Sequence, residues 1–143
     1  MPDKTLLLSI RPEFANKIFE GTKTAELRRT RPRVTRGDWV YVYVAAPVKA
    51  LRGAFRVAKV IDDLPHRLWH KVKRVAGVTR KQFDEYYKGA ERAFAILLED
   101  VQHFSESVDL TGLRKRWPGL RPPQCYLYIP TSRLASLRLA AIT

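Results

Sequence analysis

A short helix followed at once by an extended, highly charged segment is the feature that most restricts the fold of this chain. Pro12 suits the first turn of a helix, because its missing N–H would be unpaired there in any case. Gly21 suits the position just past a helix end, where the backbone is commonly left-handed. Phe14 and Ile18 lie four residues apart and would share one face. The sequence therefore predicts a helix over 12–20 that ends in a sharp turn.

The segment from Gly21 to Arg29 brings a glycine, a lysine, an acid and two arginines together. In an extended chain, Glu26 and Arg28 would lie on the same face, close enough to pair. Such a pair can hold the guanidinium flat and aimed at a phosphate or a base edge. The alternative is a solvated basic strand whose surface ion pair contributes little stability. The spacing alone supports both interpretations equally.

Four segments of the chain carry recognisable motifs. They are Leu8–Phe14, the pattern Gly21-x-Lys23-x-x-Glu26-x-Arg28, Phe83–Gly89 and Arg121–Gln124. In this order they resemble a group of small archaeal and bacterial proteins of the ASCH domain family, a PUA-like family linked to RNA. The resemblance covers about 6–129. It implies an α+β fold, a PUA-like β-barrel of about five to seven strands with flanking helices.

Strand patterns agree with that implied fold. Trp39–Val44 is the clearest strand, because aromatic residues alternate with valines. Gly53 is expected to mark a bulge or bend within a longer strand. The segment 104–113 is predicted to be irregular, and 113–119 is predicted to be a basic loop. The other predicted strands are 6–10, 51–61, 93–98 and 126–129, with an edge strand or tail over 134–142.

A helical pair is predicted at about 65–88, with helices over 65–76 and 79–88. Apolar residues recur there at helical spacing, and Thr79 with Gln82 resembles a capping box. Two helices joined by a short turn also suggest a helix-turn-helix DNA reader. Acidic residues and tyrosines on the second helix count against that interpretation. We therefore predict a helical insertion that flanks the cleft, with DNA-binding regulation as an alternative.

The composition favours a polyanionic partner. The 143 residues carry 27 Lys and Arg against 14 Asp and Glu, a formal net charge of +13. Nucleic acid is the first candidate, and RNA is favoured over DNA by the resemblance. No apolar run approaches the ~20 residues of a membrane span. We expect a single domain over 1–143, cytoplasmic, not bound to a membrane, and from a thermophilic host.

Metal and cofactor sites are not predicted. His66 and His70 lie four residues apart on one predicted helix, but two ligands do not make a site. Cys125 is the only cysteine, so the chain has neither an internal disulfide nor a Cys-x-x-Cys zinc motif. No glycine-rich, phosphate-cradling loop is present. We therefore predict neither a metal nor a cofactor.

The predicted nucleic-acid site is a basic cleft built around the Gly21–Arg28 motif. Tyr43 is included because aromatic rings can stack on bases. The alternative for Tyr43 is packing in the core, as aromatic stripes usually do. The residues predicted to contact nucleic acid are Ser9, Arg11, Lys23, Arg28, Arg29, Arg31, Tyr43, Lys71, Lys73, Arg114, Arg116, Arg121 and Gln124.

An enzyme is the alternative to a binding module. The resemblance implies two activities, a metal-independent ribonuclease or an amidohydrolase acting on a modified nucleoside such as acetylcytidine. Lys23 would stabilise negative charge, Glu26 would act as a general base, and Thr24 would lie nearby. In the amidohydrolases, the threonine proposed as nucleophile falls where this chain has Glu26. That departure counts against the amidohydrolase.

Overall fold

The computed structural model describes residues 5–124, 126–130 and 133. Within these residues, six strands and four helices follow one another. They are β1 (Thr5–Ile10), α1 (Pro12–Glu20), β2 (Ala25–Arg28), β3 (Trp39–Val44), β4 (Ala50–Asp63), α2 (Pro65–Val72), α3 (Arg80–Tyr87), β5 (Ala93–Asp109), α4 (Leu110–Arg116) and β6 (Tyr126–Tyr128). Among these elements, no helix is long and apolar enough to cross a membrane.

All six described strands form one sheet in the order β2-β5-β4-β3-β1-β6. Strands β1 and β3 are parallel, and the other neighbouring pairs are antiparallel. The sheet curls into a half-barrel, and the helices lie against it. The predicted α+β class and barrel-like sheet with flanking helices are therefore confirmed.

The first helix has the boundaries that its sequence predicts. Pro12 is the first residue of α1, and Gly21 follows its end with a φ of 88°. The Gly21 N–H donates to the Ile18 carbonyl, which closes the last turn. Ile18 is buried in the core, whereas Phe14 is only partly buried. The helix thus places Phe14 beside the start of the charged motif.

Both faces of the central strands are covered. Leu8 and Val42 face a core shared with α1, whereas Leu7 and Tyr43 belong to a second core on the other side, shared with Leu113 of α4. Tyr43 is only 2% exposed. The prediction that Tyr43 contacts nucleic acid is therefore wrong, because its ring already packs in this core. The alternation of aromatic residues and valines in β3 therefore reflects a strand with both faces buried.

Gly53 lies where β4 shifts register against β5, as predicted for a bulge. A Cβ at this position would overlap the carbonyl oxygen of Gln102 and the ring of Phe19. The Phe19 ring is itself stacked on His103, with ring centroids 4.3 Å apart. Helix α1 can therefore lie this close to the sheet only because residue 53 has no side chain.

The C-terminal half of β5 and helix α4 differ from the prediction. Residues 104–113 were predicted to be irregular, but β5 continues to Asp109, and α4 begins at Leu110. The Asp109 carboxylate accepts a hydrogen bond of 2.8 Å from the Gly112 N–H and thereby caps α4. The predicted basic loop over 113–119 is therefore mostly helical. Cys125 and 134–142 lie outside the described residues.

The helical pair is confirmed, with shorter helices than predicted. The capping box forms, because the Thr79 hydroxyl accepts from the Gln82 N–H and the Gln82 side chain accepts from the Thr79 N–H. Leu68 and Tyr87 are buried in a third core against β2 and β5. Tyr86, the neighbour of Tyr87 on α3, is instead 40% exposed. The pair therefore packs on the sheet beside the charged motif.

Candidate functional site

A cleft of about 880 Å³ opens beside β2. Residues of β1 and α1 form its near side, and Val78 with residues of α3 forms its far side. Among the described residues, seven charged side chains line the cleft, of which five are basic and two acidic. They are Arg11, Lys23, Arg28, Arg29, Lys81, Glu26 and Glu85. The cleft therefore carries a net positive charge.

Three buried charges form what we call the charged floor, namely Lys23, Glu26 and Arg28. Their residues are 2%, 7% and 9% exposed. Arg28 Nη2 lies 3.0 Å from Glu26 Oε2, and Lys23 Nζ lies 3.6 Å from Glu26 Oε1. The pairing of Glu26 with Arg28, predicted from their spacing, is confirmed. One carboxylate therefore lies between two cations at the base of the cleft.

Lys23 is held on several sides. Its Nζ donates a hydrogen bond of 2.5 Å to the Ala76 carbonyl and lies 5.2 Å from the centroid of the Phe14 ring. Burial lowers the pKa of Lys23 below its ordinary value, and the nearby Glu26 carboxylate opposes that shift. The ammonium is therefore fixed in place and gives up its proton more readily than an exposed lysine.

Helix α3 is attached to the end of β2 by side-chain hydroxyls. The Tyr87 hydroxyl donates to the carbonyls of Arg28 and Phe94 over 3.2 and 3.0 Å, and the Tyr86 hydroxyl donates to the Leu27 carbonyl. Burial raises the pKa of Tyr87 far above its ordinary value, so its hydroxyl keeps its proton. These bonds fix the far side of the cleft against the charged floor.

Arg29 also serves this attachment. Its Nη1 donates to the carbonyls of Tyr86 and Lys88, over 2.7 and 3.1 Å, at the C-terminal end of α3. A cation suits that end of a helix, because the last carbonyls carry partial negative charge. Arg29 lines the cleft, as predicted, but its guanidinium is also engaged with the helix end.

The structure brings several of the predicted site residues together. The predicted residues that line the cleft are Ser9, Arg11, Lys23, Glu26, Arg28, Arg29 and Gln124. The Ser9 carbonyl lies 3.4 Å from Arg28 Nη2, so β1 contacts the charged floor directly. Gln124 reaches the cleft from nearly 100 residues further along the chain. The motif at 21–28 and the segment before β6 therefore contribute to one site.

Thr24 and Arg31 lie outside the cleft lining. The backbone of Thr24 bonds to Val75 and Leu98, on either side of the motif. Arg31 pairs with Asp62 and lies over the Phe94 ring. The catalytic assignment of Thr24 and the nucleic-acid assignment of Arg31 thus find no support in the shape of this cleft.

The other predicted basic residues are spread over the surface. Lys71 pairs with Asp63 at 2.7 Å, and Arg114 donates to the Leu120 carbonyl at 3.0 Å. Lys73, Arg116 and Arg121 are exposed and do not line the cleft. These cations contribute to the positive surface rather than to the cleft itself.

Sequence reasoning missed several cleft residues. Phe14 was predicted only to share a helix face with Ile18, and Tyr86 was not predicted to line the cleft. Lys81, Glu85 and Val78 were not assigned any role. Three of the five lie in or beside the segment 83–89 that carries the family resemblance, which was the one available signal. Among the described residues, no three His, Cys, Asp or Glu side chains are grouped as metal ligands would be.

Comparison with known proteins places the fold and the motif in a family. The model of the ASCH domain matches residues 8–106. A protein named "ASCH domain-containing ribonuclease", from Zymomonas mobilis subsp. mobilis, is 31% identical over 96% of this chain and 95% of its own length. The structure of the N-terminal domain of Staphylothermus marinus McrB has a TM-score of 0.62 and 11% sequence identity, and the match covers 94% of this chain and 93% of that domain. At this low identity, the likeness concerns only the fold.

The crystal structure of ASCH from Zymomonas mobilis is similar over almost the whole chain. It has a TM-score of 0.92 and 28% sequence identity, and the match covers 96% of each chain. The family match spans most of the chain, including the charged floor and both helices of the pair. The chain therefore belongs to the ASCH domain family.

Proposed function

We propose that this protein binds RNA in the cleft beside β2. The observation that carries the proposal is the charged floor, in which a buried carboxylate and two buried cations lie at the base of an open, positively charged cleft. Burying three charges is costly, so such an arrangement is rarely kept for stability alone. The formal net charge of +13 supports a polyanionic ligand.

The roles of the cleft residues follow from their chemistry. Arg11 and Lys81 are exposed at the rim and would contact phosphate oxygens. Arg28 is held by Glu26, so its planar guanidinium can donate to a phosphate or a base edge in a fixed direction. The partly exposed rings of Phe14 and Tyr86 offer apolar surface on which a base can stack.

A second candidate function is RNA cleavage without a metal. It is favoured by the 31% identical relative that is named a ribonuclease, and by the 3.6 Å approach of Lys23 Nζ to Glu26 Oε1. Glu26 would accept the proton of a ribose 2′-hydroxyl as its oxygen bonds to phosphorus. The bond from phosphorus to the 5′ oxygen would break, and that oxygen would take a proton from Lys23, whose lowered pKa suits a general acid.

A gel assay with labelled single-stranded RNA tests both functions. The purified protein is incubated with RNA at low and high salt, with and without chelator, beside Arg28→Lys and Glu26→Gln variants. Arg92→Lys is the matched control, because Arg92 is exposed, pairs with Asp62 and does not line the cleft. Circular dichroism confirms that each variant is folded, and unlabelled duplex DNA is included as a competitor.

The outcomes separate the two functions. A shifted band of intact RNA that is weakened by salt and by Arg28→Lys supports a binding protein. RNA fragments that persist in chelator and disappear with Glu26→Gln support a ribonuclease. Absence of binding at low salt, or binding that is unchanged by Arg28→Lys, contradicts the proposal. Stronger competition by duplex DNA than by RNA would favour the DNA-binding alternative.

A further inference from the structure

The segment that joins α2 to α3, residues 73–79, is fastened to the charged motif by successive carbonyl groups. We call this segment the α2–α3 connection. The Val75 carbonyl accepts from the N–H groups of Thr24 and Ala25, over 2.8 and 3.1 Å. The Ala76 carbonyl accepts from Lys23 Nζ, and the Gly77 carbonyl accepts from Lys17 Nζ at 2.8 Å. Three consecutive carbonyls therefore all bond to residues 17–25.

Gly77 fits tightly between the two lysine side chains. Its φ is +67°, a conformation that favours glycine. A Cβ at this position would lie 3.1 Å from Lys23 Cβ and 3.3 Å from Lys17 Cδ. The close approach that lets both ammonium groups reach this connection thus requires a glycine at residue 77.

The α2–α3 connection leads directly into the far side of the cleft. Val78 lines the cleft, and α3 follows with Lys81 and Tyr86. The other end of α3 is already attached to β2 through Tyr87 and Arg29. The bonds to the connection therefore fix the remaining end of this side and, with it, the width of the cleft.

Lys17 lies outside the cleft lining and is only partly buried. We propose that Lys17 is a positioning residue, which sets the far side of the cleft by holding the Gly77 carbonyl and thereby raises RNA affinity without touching RNA. This inference rests on the proposed function as far as RNA is concerned. The mechanical part, that Lys17 holds the connection, stands apart from it.

The mechanical part is tested first, by amide hydrogen exchange in the absence of RNA. Lys17→Met keeps an unbranched stem but removes the ammonium donor, so the connection loses the bond at Gly77. We expect faster exchange at the Thr24 and Ala25 amides, because both donate to the Val75 carbonyl of the same connection. Lys59→Met is the matched control, since Lys59 is an exposed lysine of β4. Unchanged exchange at both amides overturns the inference.

The RNA part is tested by titration at several salt concentrations. We expect Lys17→Met to weaken binding by roughly fivefold, the effect of losing one hydrogen bond. The dependence of affinity on salt should not change, because Lys17 does not touch a phosphate. Lys17→Arg keeps a donor and should restore most of the affinity. A salt slope lowered by about 0.7 would instead mark Lys17 as a direct phosphate ligand and overturn the inference.

Two further variants keep the result decisive. If Lys17→Met does not fold, Lys17→Leu is measured in its place, because leucine also lacks a donor. Gly77→Ala disturbs the same contact from the other side and should produce the same pattern of faster exchange and weaker binding. If the wild-type protein does not bind RNA, the proposed function fails, and the exchange measurement still decides whether Lys17 holds the connection.

Discussion

The charged floor and the outer surface of α2 contain the same types of basic residue in opposite settings. We define the α2 surface as four basic residues, namely Arg67 and Lys71 of α2 and Lys73 and Arg74 of the adjoining α2–α3 connection. All four of these residues are exposed. The three residues of the charged floor are each less than 10% exposed and are linked at 3.6 Å or less. One set of charges is buried and fixed by its surroundings, and the other is exposed to solvent.

This difference in burial suits the two sets of charges to different roles towards a ligand. In the buried setting, water is displaced and screening is weak. Each charge therefore interacts strongly with a ligand group placed next to it. On the α2 surface, dissolved salt screens charges beyond about 8 Å. The floor is therefore suited to recognising a particular group at a particular place. The α2 surface is suited to non-specific, salt-dependent attraction of a polyanion.

The largest expected effect is on stability when the carboxylate of the floor is removed. Glu26→Gln leaves Lys23 and Arg28 buried without their shared anion, and we expect the free energy of unfolding to fall by about 3–5 kcal/mol. Urea denaturation measures it. The control is Asp84→Asn, which removes the exposed partner of Arg80 and should cost at most about 1 kcal/mol. Equal losses for the two variants would contradict the contrast between buried and exposed charges.

The next effect concerns recognition by the floor. Arg28→Lys keeps the positive charge but loses the planar fork, so we expect RNA binding to weaken by about 1–3 kcal/mol. Arg92→Lys makes the same chemical change at an exposed pair and should leave the affinity unchanged. Titration with single-stranded RNA measures both. Equal affinity for both variants would show that only charge, and not geometry, matters at Arg28.

The pH dependence of stability sharpens the same contrast. The pKa of Lys23 is lowered below 10.5 in the folded protein, so the unfolded chain binds more protons between the two values. Stability must then rise with pH in that window. Compared with Lys23→Met, the wild type should gain stability as the pH rises towards 10.5. Denaturation curves for both proteins from neutral pH upward test this, and a constant difference would contradict it.

The smallest effect is expected on the α2 surface. Replacing Lys73 and Arg74 together by glutamine should lower the slope of affinity against salt by about 0.7 for each phosphate that these side chains neutralise. The melting temperature should stay the same, because both side chains are exposed. Lys59→Gln is the control at an exposed position on β4. An unchanged slope would show that RNA does not reach the α2 surface.

The sequence predicted the helix ends, because the residues that begin and end a helix act on neighbours within one turn. Pro12 and Gly21 bracket α1, and Thr79 with Gln82 opens α3, because each acts within one turn of the helix. The extension of β5 to Asp109 was not predictable in this way. Those residues are polar and mostly exposed, and they are held by pairing with β4.

In the candidate site, too, the contacts between residues close in sequence were predictable and the long-range contacts were not. Spacing and the family resemblance pointed to Glu26 and Arg28, which lie two residues apart on one strand. The Lys23 ammonium donates its hydrogen bond to the Ala76 carbonyl, 53 residues further along the chain. No pattern within the motif predicts this partner. Tyr43 shows the reverse problem, since an alternating strand does not reveal that both of its faces are covered.

The position of the near side of the cleft depends on Gly53, which lies against Phe19 of α1 and does not line the cleft. The near side of the cleft includes Arg11, which immediately precedes α1, and Phe14 of its first turn, and α1 packs over this glycine. A methyl group at residue 53 would push Phe19, and with it α1, away from the sheet. A side chain at residue 53 would therefore disturb the near side of the cleft and the packing of α1 together, although residue 53 does not line the cleft. A mutational library that keeps the native fold should retain only glycine there.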